Sequence, residues 1–288
     1  MNSNEYPIKR LLPEEYPRLL QEMQKPPNTL YIRGALPGDD HLFLTVVGSR
    51  RYSEYGKLAC EKLIEGLSGR PIVIVSGLAY GIDSIAHRAA LRHGLKTIAI
   101  PGSGLEESVI TPPEHLGLAE EILQSGGALL SPFQGDITGK RWTFPVRNVV
   151  MAGISHATLV IEAEFDSGTL ITAREAQDLD RTVLAVPGQI FSPNAYGSNY
   201  LIKDGVAEAV TTSADILKKL GFDPKTKPKS ENYVNVSDEE KKLLSLLPLP
   251  REELIEKLGM ETSLVSTLIS LLELKGIIEE KLGEIRRI

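Results

Sequence analysis

From Leu42 onward, short aliphatic runs alternate with segments whose apolar residues recur at helical spacing. The runs cover residues 42–47, 72–75, 97–100, 128–130, 157–161 and 182–186, and glycine or serine tends to follow them. Between them, residues 55–67, 82–93, 114–124 and 170–178 carry the i, i+3, i+4 pattern of amphipathic helices. Most runs lack polar alternation, which predicts strands buried on both faces in a parallel sheet. Strands alternating with helices predict an α/β fold, a doubly wound Rossmann-like domain over residues 38–221.

The flanks read differently. Residues 1–37 predict a helix over 14–24, stopped by Pro26-Pro27, in an extension that packs on the Rossmann-like domain. Residues 222–235 are rich in lysine, proline and polar residues without apolar period, and predict a linker. In residues 236–288, helices are expected over 238–246, 250–258 and 262–275, the last capped by Thr262 and closed by Gly276. Two short strands around Gly283 then complete a small C-terminal winged-helix domain. Leu264, Leu268, Leu271 and Leu272 are the expected core stripe of its third helix. Ser263, Ser266, Thr267, Ser270 and Glu273 are expected outside.

Composition narrows the class. The 288 residues are 42% hydrophobic and 24% charged, an ordinary globular balance. A single cysteine excludes an intramolecular disulfide, and no apolar run approaches the roughly 20 residues of a membrane span. With no signal-peptide pattern at the start, the expectation is a cytoplasmic protein without membrane association. There are 32 Lys and Arg against 38 Asp and Glu, a net charge of −6. Residues 236–288 hold 8 basic and 11 acidic side chains, so neither part of the chain is basic as a whole. Binding to a polyanion would therefore rest on a local patch.

Such patches lie where a doubly wound sheet binds ligands, at the carboxyl ends of strands beside helix N-termini. After the first run comes Gly48-Ser49-Arg50-Arg51, a tight turn with a hydroxyl and two guanidinium groups suited to phosphate. It is not G-x-G-x-x-G, and a dinucleotide site is not expected. Ser53 is placed to cap the next helix. After the second run, Gly77 and Gly81 suit a turn, and Asp83 and His87 are read as holding that loop in shape, since no nucleophile completes a triad. Lys140, Arg141, Phe144, Arg147 and Asn148 surround the sole tryptophan, Trp142, combining phosphate-binding cations with rings that stack on bases. Arg141 stands where a P-loop needs Ser or Thr, so that motif is rejected. Ser167, Gly168 and Thr169 open a helix and form a further anion nest. The segments at 186–188 and 197–199 suit a loop rim. The five histidines are dispersed, and neither a metal site nor a cofactor is expected.

The series VGSR, SGLAYGIDSIAH, FPVRN, EAEFDSGTLITARE, AVPG and GSNYLI closely resembles the DNA-processing protein A (DprA, Smf) family over about residues 6–217. The resemblance implies an extended Rossmann fold, sequence-independent binding of single-stranded DNA, homodimerisation and loading of the RecA recombinase in natural transformation. It implies no catalytic activity. DNA contact is implied for Ser49, Arg50, Arg51, Gly77, Arg141, Phe144, Arg147, Asn148, Ser167, Gly168 and Thr169. Two departures stand out: the helical domain that some members carry first has no room here, and the loop at 102–113 lacks the family's usual pattern. The rival reading is a Rossmann-like nucleotide hydrolase of the phosphoribohydrolase type, or a nucleotide-sensing module. Against the hydrolase, Glu175 follows Gly168-Thr169 at the wrong spacing.

Overall fold

The computed structural model describes residues 5–38, 40–224, 237–274, 277–281 and 283–287. The chain divides into two compact units, residues 1–230 and 231–288. The predicted linker lies mostly outside the described residues, as does the helix-closing role of Gly276.

In the first unit the strands are β1 (Lys9–Leu11), β2 (Leu30–Gly34), β3 (Leu42–Val47), β4 (Ile72–Ser76), β5 (Thr97–Ala99), β6 (Ala128–Ser131), β7 (Ala157–Val160), β8 (Thr182–Ala185) and β9 (Glu208–Ala209). The helices are α1 (Arg18–Gln21), α2 (Glu54–Glu65), α3 (Ile82–Arg92), α4 (Leu116–Gln124), α5 (Thr143–Ile154), α6 (Gly168–Asp178), α7 (Tyr196–Lys203) and α8 (Ser213–Lys219). One nine-stranded sheet runs in the order β1-β2-β6-β5-β4-β3-β7-β8-β9. Its seven strands from β6 to β9 are parallel, and this is the doubly wound α/β fold.

Side chains along the central strands alternate between two cores. Phe43, Val47, Val73 and Val75 pack on the face covered by α5 and α6. Leu44, Val46, Ile72 and Ile74 pack on the other, with Cys60, Leu63 and Ile64 of α2 and Ala86 and Ala89 of α3. Burial pushes the Cys60 thiol far up, so it serves as a small core hydrophobe.

The N-terminal segment departs from expectation. In place of a helix over 14–24 there is a 3-10 turn at Pro13–Glu15 and the single turn α1, with Pro17 between them. β1 and β2 add two antiparallel strands onto β6, so the sheet begins well before residue 38. Short strands with little apolar alternation gave no period to read.

The second unit contains α9 (Asp238–Leu246), β10 (Leu249–Pro250), α10 (Arg251–Leu258), α11 (Thr262–Leu274), β11 (Ile278–Lys281) and β12 (Glu284–Arg287). The strands pair as β10-β12-β11, which makes three helices and a wing. Ser237 and Glu240 form a capping box at the start of α9, and Gly259, at φ +62°, ends α10. The unit has its own core, with Leu243, Leu254, Val265, Ile269, Leu272 and Ile285 at its centre. The stripe of α11 is rotated from the expected one: Val265, Leu268, Ile269 and Leu272 are buried, whereas Leu264 and Leu271 are 46% and 43% exposed.

Candidate functional site

Strand order reverses between β3 and β7, the neighbours from which the chain winds outward in opposite directions. A cleft of about 700 Å³ opens there, at the carboxyl ends of both strands. Gly48, Ser49, Arg50 and Arg51 line it after β3; Glu164, Asp166, Ser167, Gly168 and Thr169 line it after β7; Arg141, Phe144, Arg147 and Asn148 come from the start of α5.

Each wall is held by local bonds. The Ser49 hydroxyl accepts from the Arg51 amide at 3.0 Å, which fixes the turn and leaves Arg50 and Arg51 exposed. Gly81, at φ +80°, passes so close to the Ser49 carbonyl and Arg50 backbone that a side chain there has no room. Ser53 caps α2, accepting from the Gly56 amide at 3.1 Å, and donates to buried Glu162 at 2.5 Å. Across the cleft, Ser167 caps α6 and Thr169 Oγ1 donates to the Gly48 carbonyl at 3.1 Å, tying the two walls together. Beside Gly168 there is open space where a Cβ would stand.

Phe144 is the hub of the third wall. The guanidinium of Arg50 is 5.5 Å, and that of Arg147 5.9 Å, from its ring centre. Gly102 lies against the ring so closely that an added Cβ would touch it. Trp142 does not line the cleft; it is exposed and packs edge-to-face on Phe133 at 5.5 Å between ring centres.

Arg147 differs from its neighbours. It is 5% exposed, its Nη1 donates to the carbonyls of Gly77 and Ile100 at 2.6 Å each, and its Nε donates to Asn148 at 3.0 Å. Asp83, equally buried, accepts from the amides of Gly77 at 3.1 Å and Ala79 at 3.4 Å. Burial raises the Asp83 carboxyl while the Arg147 charge opposes that rise. Burial brings Arg147 down to about 10, which leaves it charged at neutral pH. A Cβ on Gly77 would collide with the Arg147 guanidinium and the Asp83 carboxylate. Gly77 therefore lies under the cleft, where it makes room for the buried pair.

Ten of the twelve predicted residues thus meet in one cleft; Gly77 and Lys140 do not line it. The Lys140 backbone shapes the turn into α5, its carbonyl accepting from the Thr143 hydroxyl at 2.7 Å. Asp83 holds its loop as expected, but His87 is not its partner. His87 Nδ1 is 2.7 Å from the Thr97 hydroxyl, which itself donates to the Ile74 carbonyl. The buried Nε2 of His87 has no hydrogen-bond partner among the described residues. Glu175 does not line the cleft either. Glu164 and Asp166 do, although only their place between β7 and α6 could have singled them out. At the rim, Asn199 brackets Gly188, accepting from its amide and donating to its carbonyl, each at 3.0 Å. Among the described residues no group of three metal-ligating side chains occurs, and no helix is long and apolar enough to cross a membrane.

The chain has clear relatives. Protein Smf of Escherichia coli is 38% identical over 263 residues, covering 90% of this chain and 68% of that one. DNA processing protein DprA of Streptococcus pneumoniae is 37% identical over 217 residues, 75% of each chain. The X-ray structure of the Streptococcus pneumoniae protein superposes with a TM-score of 0.66 at 36% identity, covering 74% of both chains. DNA processing protein A from Helicobacter pylori, whose structure describes its single-stranded DNA binding mode, gives a TM-score of 0.66 at 27% identity over 75% of this chain and 96% of that one. The family described as DNA recombination-mediator protein A matches residues 10–221, the span that builds the sheet and the cleft, and the chain belongs to that family.

Proposed function

We propose that the cleft binds single-stranded DNA with little sequence preference. The observation that carries this reading is the convergence of Arg50, Arg51 and Arg141 with the opening turn of α6 around the half-buried ring of Phe144. Cations and helix amides suit a phosphate backbone, and an aromatic face suits any base. A duplex keeps its bases stacked and cannot present one to Phe144. The Helicobacter pylori relative binds single-stranded DNA, which supports the same ligand here.

As a recombination mediator, the chain would shield an incoming strand and pass it to RecA recombinase in natural transformation. It would act by binding, without turnover, in the cytoplasm. Self-association as a homodimer would join two clefts into a longer track for one strand.

The test is a titration with single- and double-stranded oligonucleotides of equal length at several salt concentrations. Preference for single strands, with affinity falling steeply as salt rises, is expected. Equal affinity for duplex would sink the reading. Affinity should also rise with oligonucleotide length once one strand reaches both clefts, and light scattering should report a dimer.

A further inference from the structure

Beside the cleft lies an exposed aromatic pair that the binding reading does not use. Phe165 stands between the cleft-lining Glu164 and Asp166, 62% exposed, and meets Tyr196, 52% exposed, edge-to-face at 5.1 Å between ring centres. The backbone fixes this juxtaposition. The Gly197 amide donates to the Ala163 carbonyl at 2.7 Å, and the Ala163 amide donates to the Asn194 carbonyl at 2.8 Å. Gly197 packs so tightly on Ala163 and Glu164 that no side chain fits there, which seats the first turn of α7 against the end of β7. Asn194 Nδ2 donates to the Arg51 carbonyl at 2.6 Å. One loop therefore links the arginine wall, the acidic wall and the aromatic pair.

Two rings at this exposure, fixed against each other beside a cleft, offer apolar surface for a ligand to cover. Two carboxylates flank Phe165, so a phosphate is repelled there. A nucleobase is not: it offers a π-face to the ring, and three of the four DNA bases offer amino donors to a carboxylate.

Building on strand binding in the cleft, we propose that Phe165 and Tyr196 form a second base platform, taking a further base of the strand held on Phe144, with Glu164 and Asp166 keeping phosphates off it. A strand then runs with its phosphates on the arginines and the opening turn of α6, and turns this further base out onto Phe165 and Tyr196.

The test uses the full chain, an oligonucleotide, and an abasic phosphodiester backbone of the same length. Phe165→Ala is expected to weaken the oligonucleotide about 5- to 20-fold, the low range for one base–aromatic stack. Phe165→Trp should restore it, and wild type and Phe165→Ala should bind the abasic backbone equally. Glu164→Gln combined with Asp166→Asn should tighten the abasic backbone; unchanged affinity would remove the phosphate-excluding role. An equal loss on both ligands, or a change of oligomeric state by light scattering, would overturn the platform in favour of a folding or self-association role. Loss in Arg50→Ala with none in Phe165→Ala would overturn the platform and leave the cleft reading standing. Wild-type protein that binds no single strand would overturn both.

Discussion

The Arg50 guanidinium rests 5.5 Å from the centre of the Phe144 ring, an exposed cation held over an aromatic side chain at the mouth of the cleft. On the proposed strand-binding reading, Arg50 would leave the ring for a phosphate and so free a face for a base. Phe144→Ala is expected to lower single-strand affinity about 5- to 20-fold with little change in salt slope, because a stack is lost. Arg50→Ala should instead reduce the slope by roughly one phosphate contact. Titrations at three salt concentrations separate the two; matching slopes would refute this division of labour.

Arg147 should fail differently. Its guanidinium holds two backbone carbonyls and faces buried Asp83, so Arg147→Ala strands a carboxylate and two carbonyls. Leaving a buried acceptor unsatisfied costs about 1–3 kcal/mol per group. Arg147→Ala should therefore unfold at markedly lower denaturant, while Arg50→Ala stays within about 0.5 kcal/mol of wild type. Equal stability of the two variants would show that Arg147 is a free phosphate ligand.

This contrast marks the limit of what the sequence alone conveys. Arginines 50, 51, 141 and 147 look alike as letters, and their clustering at strand ends was enough to find the cleft. Burial is what separates Arg147, and burial depends on Gly77 and Ile100, 70 and 47 residues away. The central strands were legible because each is a continuous aliphatic run. β1 and β2 were not, since an edge strand of a few residues needs its neighbour before it has a pattern. On α11, Leu264 and Val265 compete for the core, and only the packing against α9 and α10 decides for Val265.

His87 ties stability to pH. Burial lowers its imidazole to about 3. The unfolded chain takes up this proton near pH 6.5, while the folded chain refuses it until about pH 3. The contribution is therefore complete above about pH 6.5 and is lost as pH falls, at up to about 1.4 kcal/mol per pH unit. Asp83, raised by burial, works in the opposite sense, but it is common to both proteins in the comparison. His87→Gln should flatten the acid limb of stability between pH 6.5 and 4.5. Parallel denaturant midpoints for wild type and variant across that range would refute the assignment.

The winged-helix unit invites a reading as a DNA-binding module, and its surface argues against it. A reader of this kind presents basic or amide side chains on its third helix. The outward positions of α11 are Ser263, Leu264, Thr267, Ser270 and Leu271, with no cation and no amide among them. Two nearby cations are engaged: Arg286 pairs with Glu279 at 2.7 Å and Arg251 with Glu280 at 3.3 Å. Exposed Leu264 and Leu271 sit seven residues apart on one face, which favours contact with protein over phosphate. The unit has a core of its own, so it should fold when expressed alone. We expect residues 236–288 to bind neither duplex nor single-stranded DNA at physiological salt, and their removal to leave the single-strand affinity of residues 1–235 within about twofold of the full chain, a difference under about 0.5 kcal/mol. Submicromolar duplex binding by the isolated unit would make it a DNA reader after all.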